Sequence, residues 1–238
     1  MPKPAAAPFA RPVVAAVLGA GLLAAVLPLT GCKTAVSYRA EGFRAMQEGD
    51  KVKAVEKFEK SVEARSTDFQ AQYWLGVNLL QTGEPIRAQA PLEQALALRP
   101  DDPVWRPRIA DAVAESYLQQ GLTEKLYGFL DNQIVTYGQQ TPDFMRKAKY
   151  LGKIGDSDGQ RRALEKAGYF APKGDLTPYL ALADFYAAVN DVPNEVQALK
   201  YAYFTDPSAD VVKNRLRGLG IIPGPTVSAE PPKAAILE

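Results

Sequence analysis

Histidine is absent from this chain and cysteine occurs once. Without histidine no Ser-His-Asp or Cys-His arrangement can form, and the commonest general base and metal ligand is missing. One cysteine, Cys32, excludes an intramolecular disulfide and a cysteine-built zinc site. Charge of one sign is also lacking: 28 Lys and Arg face 27 Asp and Glu, without a basic run, which argues against a nucleic-acid partner. Motifs for small ligands are equally thin. Gly152-Lys153-Ile154-Gly155 is too short for a phosphate-cradling loop. Asp156-Ser157-Asp158-Gly159 opens like a calcium loop, but Arg161 stands where that loop needs its glycine, so a polar turn is expected. Asp101-Asp102, and Asp111 with Glu115 at helical spacing, read as solvated faces, because acid–base work requires burial that shifts a pKa. The chain is expected to be no enzyme and to use no cofactor, metal or small-molecule substrate.

What is present begins at the amino end. Lys3 and Arg11 form a short basic lead, and residues 13–29 carry no charge. Small residues follow, in Leu29-Thr30-Gly31-Cys32. A positive region, an apolar region and small residues before a cut site make an export signal over 1–31. Its 17 uncharged residues sit at the short limit for a spanning helix, and Gly19, Gly21 and Pro28 make that alternative poor. An ordinary cysteine behind an ordinary signal is the other alternative. The cysteine placed directly after small residues resembles the lipobox of bacterial lipoproteins. That resemblance implies cleavage before Cys32, a diacylglycerol on its thiol and an acyl chain on the new amino group, with 32–34 as the lipidated end. In the Gram-negative sorting rule of that family, aspartate after the cysteine retains a protein in the inner membrane. Lys33 stands there instead, which implies the outer membrane, facing the periplasm.

Self-comparison reveals a period. A shift of 34 residues aligns Gly42 with Gly76, Gly49 with Gly83, Ala54 with Ala88, and Phe58 with Leu92. Residues 69–102 carry Leu75-Gly76, Leu79, Ala88, Leu92, Ala95 and Pro100. Degenerate copies follow over 107–140, 141–174 and 176–209, and the first spans 35–68. Residues 103–106 read as an extra turn. Glycines 49, 83, 121 and 155 fall where helices should end in a left-handed residue. Small residues at 42, 76, 114, 148 and 183 should let paired helices approach closely. Thr141-Pro142 and Thr177-Pro178 look like a capping hydroxyl before a first-turn proline. Pro91 falls inside a helix, where a kink is expected. Residues 210–220 should cap the array, with Lys213, Arg215 and Arg217 facing water. The proline-rich stretch 221–238, with its Ala-Ala-Ile-Leu sequence, should be disordered.

This period and its small and large positions resemble the tetratricopeptide repeat (TPR), a pair of antiparallel helices. The resemblance covers about 35–209 and implies an all-α, TPR-like α-solenoid of about five helix pairs plus a C-terminal capping helix. In the TPR family the concave surface is lined by the second, fifth, ninth, and twelfth or thirteenth places of each first helix. Carried onto this sequence, those places give Arg39, Phe43 and Met46, then Tyr73, Val77 and Leu80. Farther along come Arg108, Asp111 and Glu115, then Met145, Lys149 and Lys153, and finally Asp184. The implied groove is apolar and aromatic near the amino end and of mixed charge beyond, which suits an extended or helical peptide. Phe43 and Tyr73 read equally well as groove or core. The carboxylate clamp of some TPR proteins is not reproduced, because its places hold Arg39, Phe43 and Trp74. The resemblances together imply a membrane-anchored TPR adaptor or scaffold lipoprotein in a bacterial envelope complex. Pilus or secretion assembly, cell-wall biogenesis and outer-membrane biogenesis all remain open. A self-assembling structural component of the envelope is the alternative.

Overall fold

Every described helix is short, and the turns between helices are written in glycine, aspartate and proline. The computed structural model describes residues 34–231. Among them are eleven helices and no strand. They are α1 Ala35–Gln47, α2 Lys51–Ala64, α3 Phe69–Gln81, α4 Pro85–Leu98, α5 Trp105–Gln119, α6 Thr123–Thr136, α7 Thr141–Lys153, α8 Ser157–Tyr169, α9 Thr177–Ala188, α10 Val192–Thr205 and α11 Asp210–Gly218. The export signal, Cys32 and Lys33 lie outside the described residues, as does the Ala-Ala-Ile-Leu sequence. No described helix is long and apolar enough to cross a membrane.

Within four pairs the first helix ends on a left-handed glycine: Gly49, Gly83, Gly121 and Gly155 have φ of 79°, 79°, 69° and 81°. The fifth pair uses Asn190 there, at φ 59°. Asparagine is among the few side-chain-bearing residues that tolerate this region. In three of the pairs an aspartate then caps the next helix, which starts at once. Asp50, Asp156 and Asp191 accept from the backbone N–H three residues on. Thr34 does the same for α1, so the first helix begins at Ala35. Thr141 and Thr177 do not cap. Each is the first helical residue with proline second, and neither makes a capping hydrogen bond. Thr141 instead donates its hydroxyl to the carbonyl of Ala167, and Asp175 accepts from the Thr177 N–H.

Close approach within pairs follows from the small residues. A Cβ on Gly42 would stand 2.8 Å from the Phe58 ring, and one on Gly76 would stand 2.4 Å from Leu92 Cγ. Ala114, Ala148 and Ala183 hold the equivalent places and are buried. First helices of successive pairs also touch, α3 on α5 and α5 on α7. The first helices thus form one layer and the second helices another, the TPR-like α-solenoid. α4 runs unbroken through Pro91, since α3 and α5 pack against it and tertiary contacts outweigh one lost backbone bond.

The core holds two large apolar clusters and a small third one of Ile134, Phe144 and Ala167. Of the large two, one joins α1 to α6 and takes in Tyr150; the other joins α7 to α11. Between them lies a buried polar knot. Asp143 of α7 receives a two-pronged bond from Arg106 of α5, at 3.1 and 3.2 Å, and a third bond from Arg146 at 2.6 Å. The Arg106 guanidinium also lies 4.0 Å over the Tyr137 ring, and Arg146 donates to the carbonyl of Pro107.

α11 caps the array with Val212 and Leu216 fully buried. Arg215, expected to face water, turns back instead and pairs with Glu195 at 2.9 Å and with Asp184. The expected disorder of the proline-rich stretch does not hold for its first part, where Ile221 and Val227 pack on the second cluster. Their apolar side chains give that irregular backbone a place to bind.

Candidate protein-binding groove

The layer of first helices carries a strip of aromatic rings. Phe43 of α1 meets Phe58 edge-on at 5.4 Å and Trp74 of α3 at 5.7 Å. Tyr73 stands edge-on to Trp74 at 5.1 Å and to Trp105 of α5 at 5.5 Å. Trp105 continues to Phe69 at 5.3 Å. Arg99 lies 4.5 Å over Phe69 and Arg108 lies 5.7 Å from Trp105, so cations border the strip. Phe43, Tyr73, Trp74 and Trp105 are half-buried, and Phe69 is also packed against the first cluster. Phe43 and Tyr73 each pack on the first cluster and stay partly accessible. Met46, Val77 and Leu80 fill in behind them against the first cluster.

Arg39 is held by Asp68, the residue that also caps α3. Farther along, the groove charges neutralise one another across α5 and α7. Lys149 reaches Asp111 at 2.8 Å and Lys153 reaches Glu115 at 2.6 Å. Between these pairs Tyr150 donates its hydroxyl to the carbonyl of Asp111 at 2.6 Å. Burial and the charges of Asp111 and Glu115 raise the Tyr150 hydroxyl well above its ordinary pKa, so it remains a donor. Met145 packs between the second and third apolar clusters, and Asp184 is exposed and paired with Arg215. The sequence-derived residues thus divide into a contiguous set, along α1, α3, α5 and α7, and Asp184, which belongs to the capping contact.

For Glu115, burial would raise its carboxyl, but hydrogen bonds from Lys153 and Gln119 outweigh it and leave the pKa below the ordinary 4.5. Its contribution to stability is therefore complete above that value and is lost as pH falls through the lower, folded-state value. Lys153 is exposed and Glu115 partly so, at 40% and 26% side-chain exposure, and solvent screening leaves about 0–1 kcal/mol at stake. Acid titration of thermal stability should show a slightly shallower loss below pH 4.5 in Lys153→Met than in the parent chain; equal slopes would rule the linkage out.

Trp105 and Phe69 were not among the residues carried over from the repeat pattern, and Trp74 was placed only at a clamp position that it does not fulfil. Trp105 sits in the stretch 103–106 that breaks the period, where α5 starts two residues before the third repeat. Asp102 fixes that start by accepting from the N–H groups of Val104 and Trp105, both at 2.9 Å. A tryptophan in an insertion next to two aromatic helix positions was the available signal.

The architecture is that of a TPR-like solenoid. No family model matches the chain, and no curated protein matches it. Among solved structures, it is similar to MamA from Desulfovibrio magneticus RS-1, at 15% identity and a TM-score of 0.52, covering 74% of this chain and 97% of that one. It is also similar to TTC0263, a TPR protein of Thermus thermophilus, at 16% identity and a TM-score of 0.48, covering 78% and 98%. YrrB, a TPR protein described as having an unusual peptide-binding site, aligns at 14% identity with a TM-score of 0.46, covering 77% and 92%. At such identity the MamA likeness is one of fold.

Proposed function

We propose that this chain is a lipid-anchored adaptor of a bacterial envelope complex, which holds a protein partner through its aromatic strip. The carrying observation is the strip itself: five aromatic residues, contiguous across three helices. Tryptophan and tyrosine in such settings dominate binding energy, because they bury much area at small entropic cost. The mutual pairing of Lys149 with Asp111 and Lys153 with Glu115 supports an apolar anchor as the main attraction, with Arg108 left to meet an acidic residue of the partner. The anchor rests on Leu29-Thr30-Gly31-Cys32, and the outer-membrane location on Lys33. With α1 beginning at Ala35, two residues separate Cys32 from the first helix. The aromatic end of the groove would then lie close to the bilayer.

Photo-crosslinkers placed at Tyr73 and Lys149 in native membranes, followed by mass spectrometry, test the groove. The expected result is one set of partners, whose yield falls severalfold when Trp74 and Trp105 are changed to alanine. Partners unchanged by those substitutions would defeat the groove reading. Capture of a second copy of this chain would establish the self-assembling alternative. Separately, Cys32→Ser should move the protein out of the membrane fraction.

A further inference from the structure

A cleft of about 360 Å³ opens between the second helices α8 and α10, with α9 as its floor. It lies on the other layer from the aromatic strip. Tyr169, Tyr179, Tyr186 and Tyr201 line it, together with Glu165 and the chain's own Pro231. Two of the rings are held in place. Tyr179 fits because residue 168 is glycine, where a Cβ would come within 2.8 Å of the ring, and its hydroxyl donates to the Gly168 carbonyl at 2.8 Å. Tyr186 donates to Glu165, whose same oxygen accepts from Arg161 at 2.7 Å. Among the described residues, the hydroxyls of Tyr169 and Tyr201 and the amide of Gln197 make no hydrogen bond. These groups remain available to the backbone of a bound segment.

The chain leads directly into this cleft. After Val227 packs on the second cluster, the backbone continues to Pro231, which borders both the cleft and a neighbouring hollow lined by Tyr169 and Phe204. The sequence then reads Pro232-Lys233-Ala234-Ala235-Ile236-Leu237. We propose that the tyrosine cleft is a docking site for an extended, proline-containing segment, and that its occupant is residues 231–237 of this same chain, bound in cis. Consecutive prolines favour the polyproline II conformation, which docks in aromatic-lined grooves at low entropic cost. At about 3.1 Å per residue, the six residues after Pro231 reach roughly 19 Å. The α8 wall from Arg161 to Gly168 is only about 10 Å long at 1.5 Å per residue. In this docking Lys233 is drawn to Glu165, and the apolar residues that follow lie against Tyr186 and Leu182. Tethering supplies an effective concentration on the order of millimolar, so a weak intrinsic affinity suffices. This site stands independently of the groove reading.

Trypsin reports on it, because Lys233 is followed by alanine and cleavage there releases residues 234–238, which are counted by mass spectrometry. In the full chain that cleavage should be markedly slower, by about an order of magnitude, than in a synthetic peptide of residues 228–238. Tyr169→Ala with Tyr186→Ala should restore the peptide's rate. If circular dichroism shows that variant to be unfolded, Pro231→Gly with Pro232→Gly should give the same acceleration. Cleavage of the full chain at the peptide's rate overturns the proposal, and so does protection that neither variant relieves. Protection that disappears on dilution would assign the occupant to a second copy and overturn docking in cis.

Discussion

Asp143→Ala should lower stability by about 3–5 kcal/mol, the usual cost of leaving a buried charge without its partner. At roughly 2–4 °C per kcal/mol for a domain of this size, the melting temperature should fall by about 6–20 °C. The magnitude follows from the geometry. The Asp143 carboxylate is inaccessible, with Arg106 and Arg146 beside it at 7% and 6% side-chain exposure. Removing the carboxylate leaves two guanidinium groups buried against each other. Arg146 Nε already lacks a hydrogen-bond partner, so that side chain has few others to turn to. The knot joins α5 to α7 at the seam between the two apolar clusters, and its loss should uncouple them. Replacing all three residues with apolar ones of similar volume should recover much of the stability, since a buried ion cluster is rarely better than good packing. Thermal denaturation followed by circular dichroism decides the matter. A change below about 1 kcal/mol in Asp143→Ala would mean that water reaches the seam and screens the two cations.

Leu92→Ala should cost about 2–5 kcal/mol through lost burial and the cavity left behind, because Leu92 is fully buried. The informative comparison is with its partner. Gly76→Ala places a methyl 2.4 Å from Leu92 Cγ, 2.6 Å from its Cδ2 and 3.2 Å from the carbonyl of Ala88. Overpacking of this kind costs about 1–3 kcal/mol, against a gain of about 1 kcal/mol from replacing a helical glycine. A net loss is expected, as the fully buried Leu92 has little space to turn into. In the double variant the new methyl occupies part of the space that Leu92 vacated. The loss in the double variant should then fall short of the sum of the two single losses by at least about 1 kcal/mol. Denaturant titrations of the four chains measure this coupling. Additive losses would show that α3 and α4 separate freely at this point.

Much of this arrangement was legible in the sequence because its causes are local or strictly periodic. Glycine at 49, 83, 121 and 155 falls at the end of each periodic helix, where a left-handed residue carries no Cβ penalty, and the structure places each at positive φ. The small residues at 42 and 76 pointed to the close approach within pairs, and the structure shows that Phe58 and Leu92 are what they approach. Local rules failed where a competing partner lay far along the chain. Thr141 had the look of a cap, yet the carbonyl of Ala167 takes its hydroxyl. Arg215 had the look of a solvated cation, yet α9 and α10 present Asp184 and Glu195 to it.

The helical class, the repeat length, the turns and the aromatic character of the first two units can all be read from the amino-acid order, since each depends on neighbours within about one period. The proposed lipid anchor also rests on the amino-acid order alone, because Cys32 lies outside the described residues. Packing in three dimensions was needed to show which aromatic side chains form one strip, because Trp105 joins it from a segment that breaks the repeat. The same holds for the pairing of the groove charges across helices, the buried Arg106–Asp143–Arg146 knot and the tyrosine cleft that Pro231 borders. Those arrangements depend on how successive helix pairs stack. That geometry arises from the summed packing of many side chains and is not encoded in any single motif.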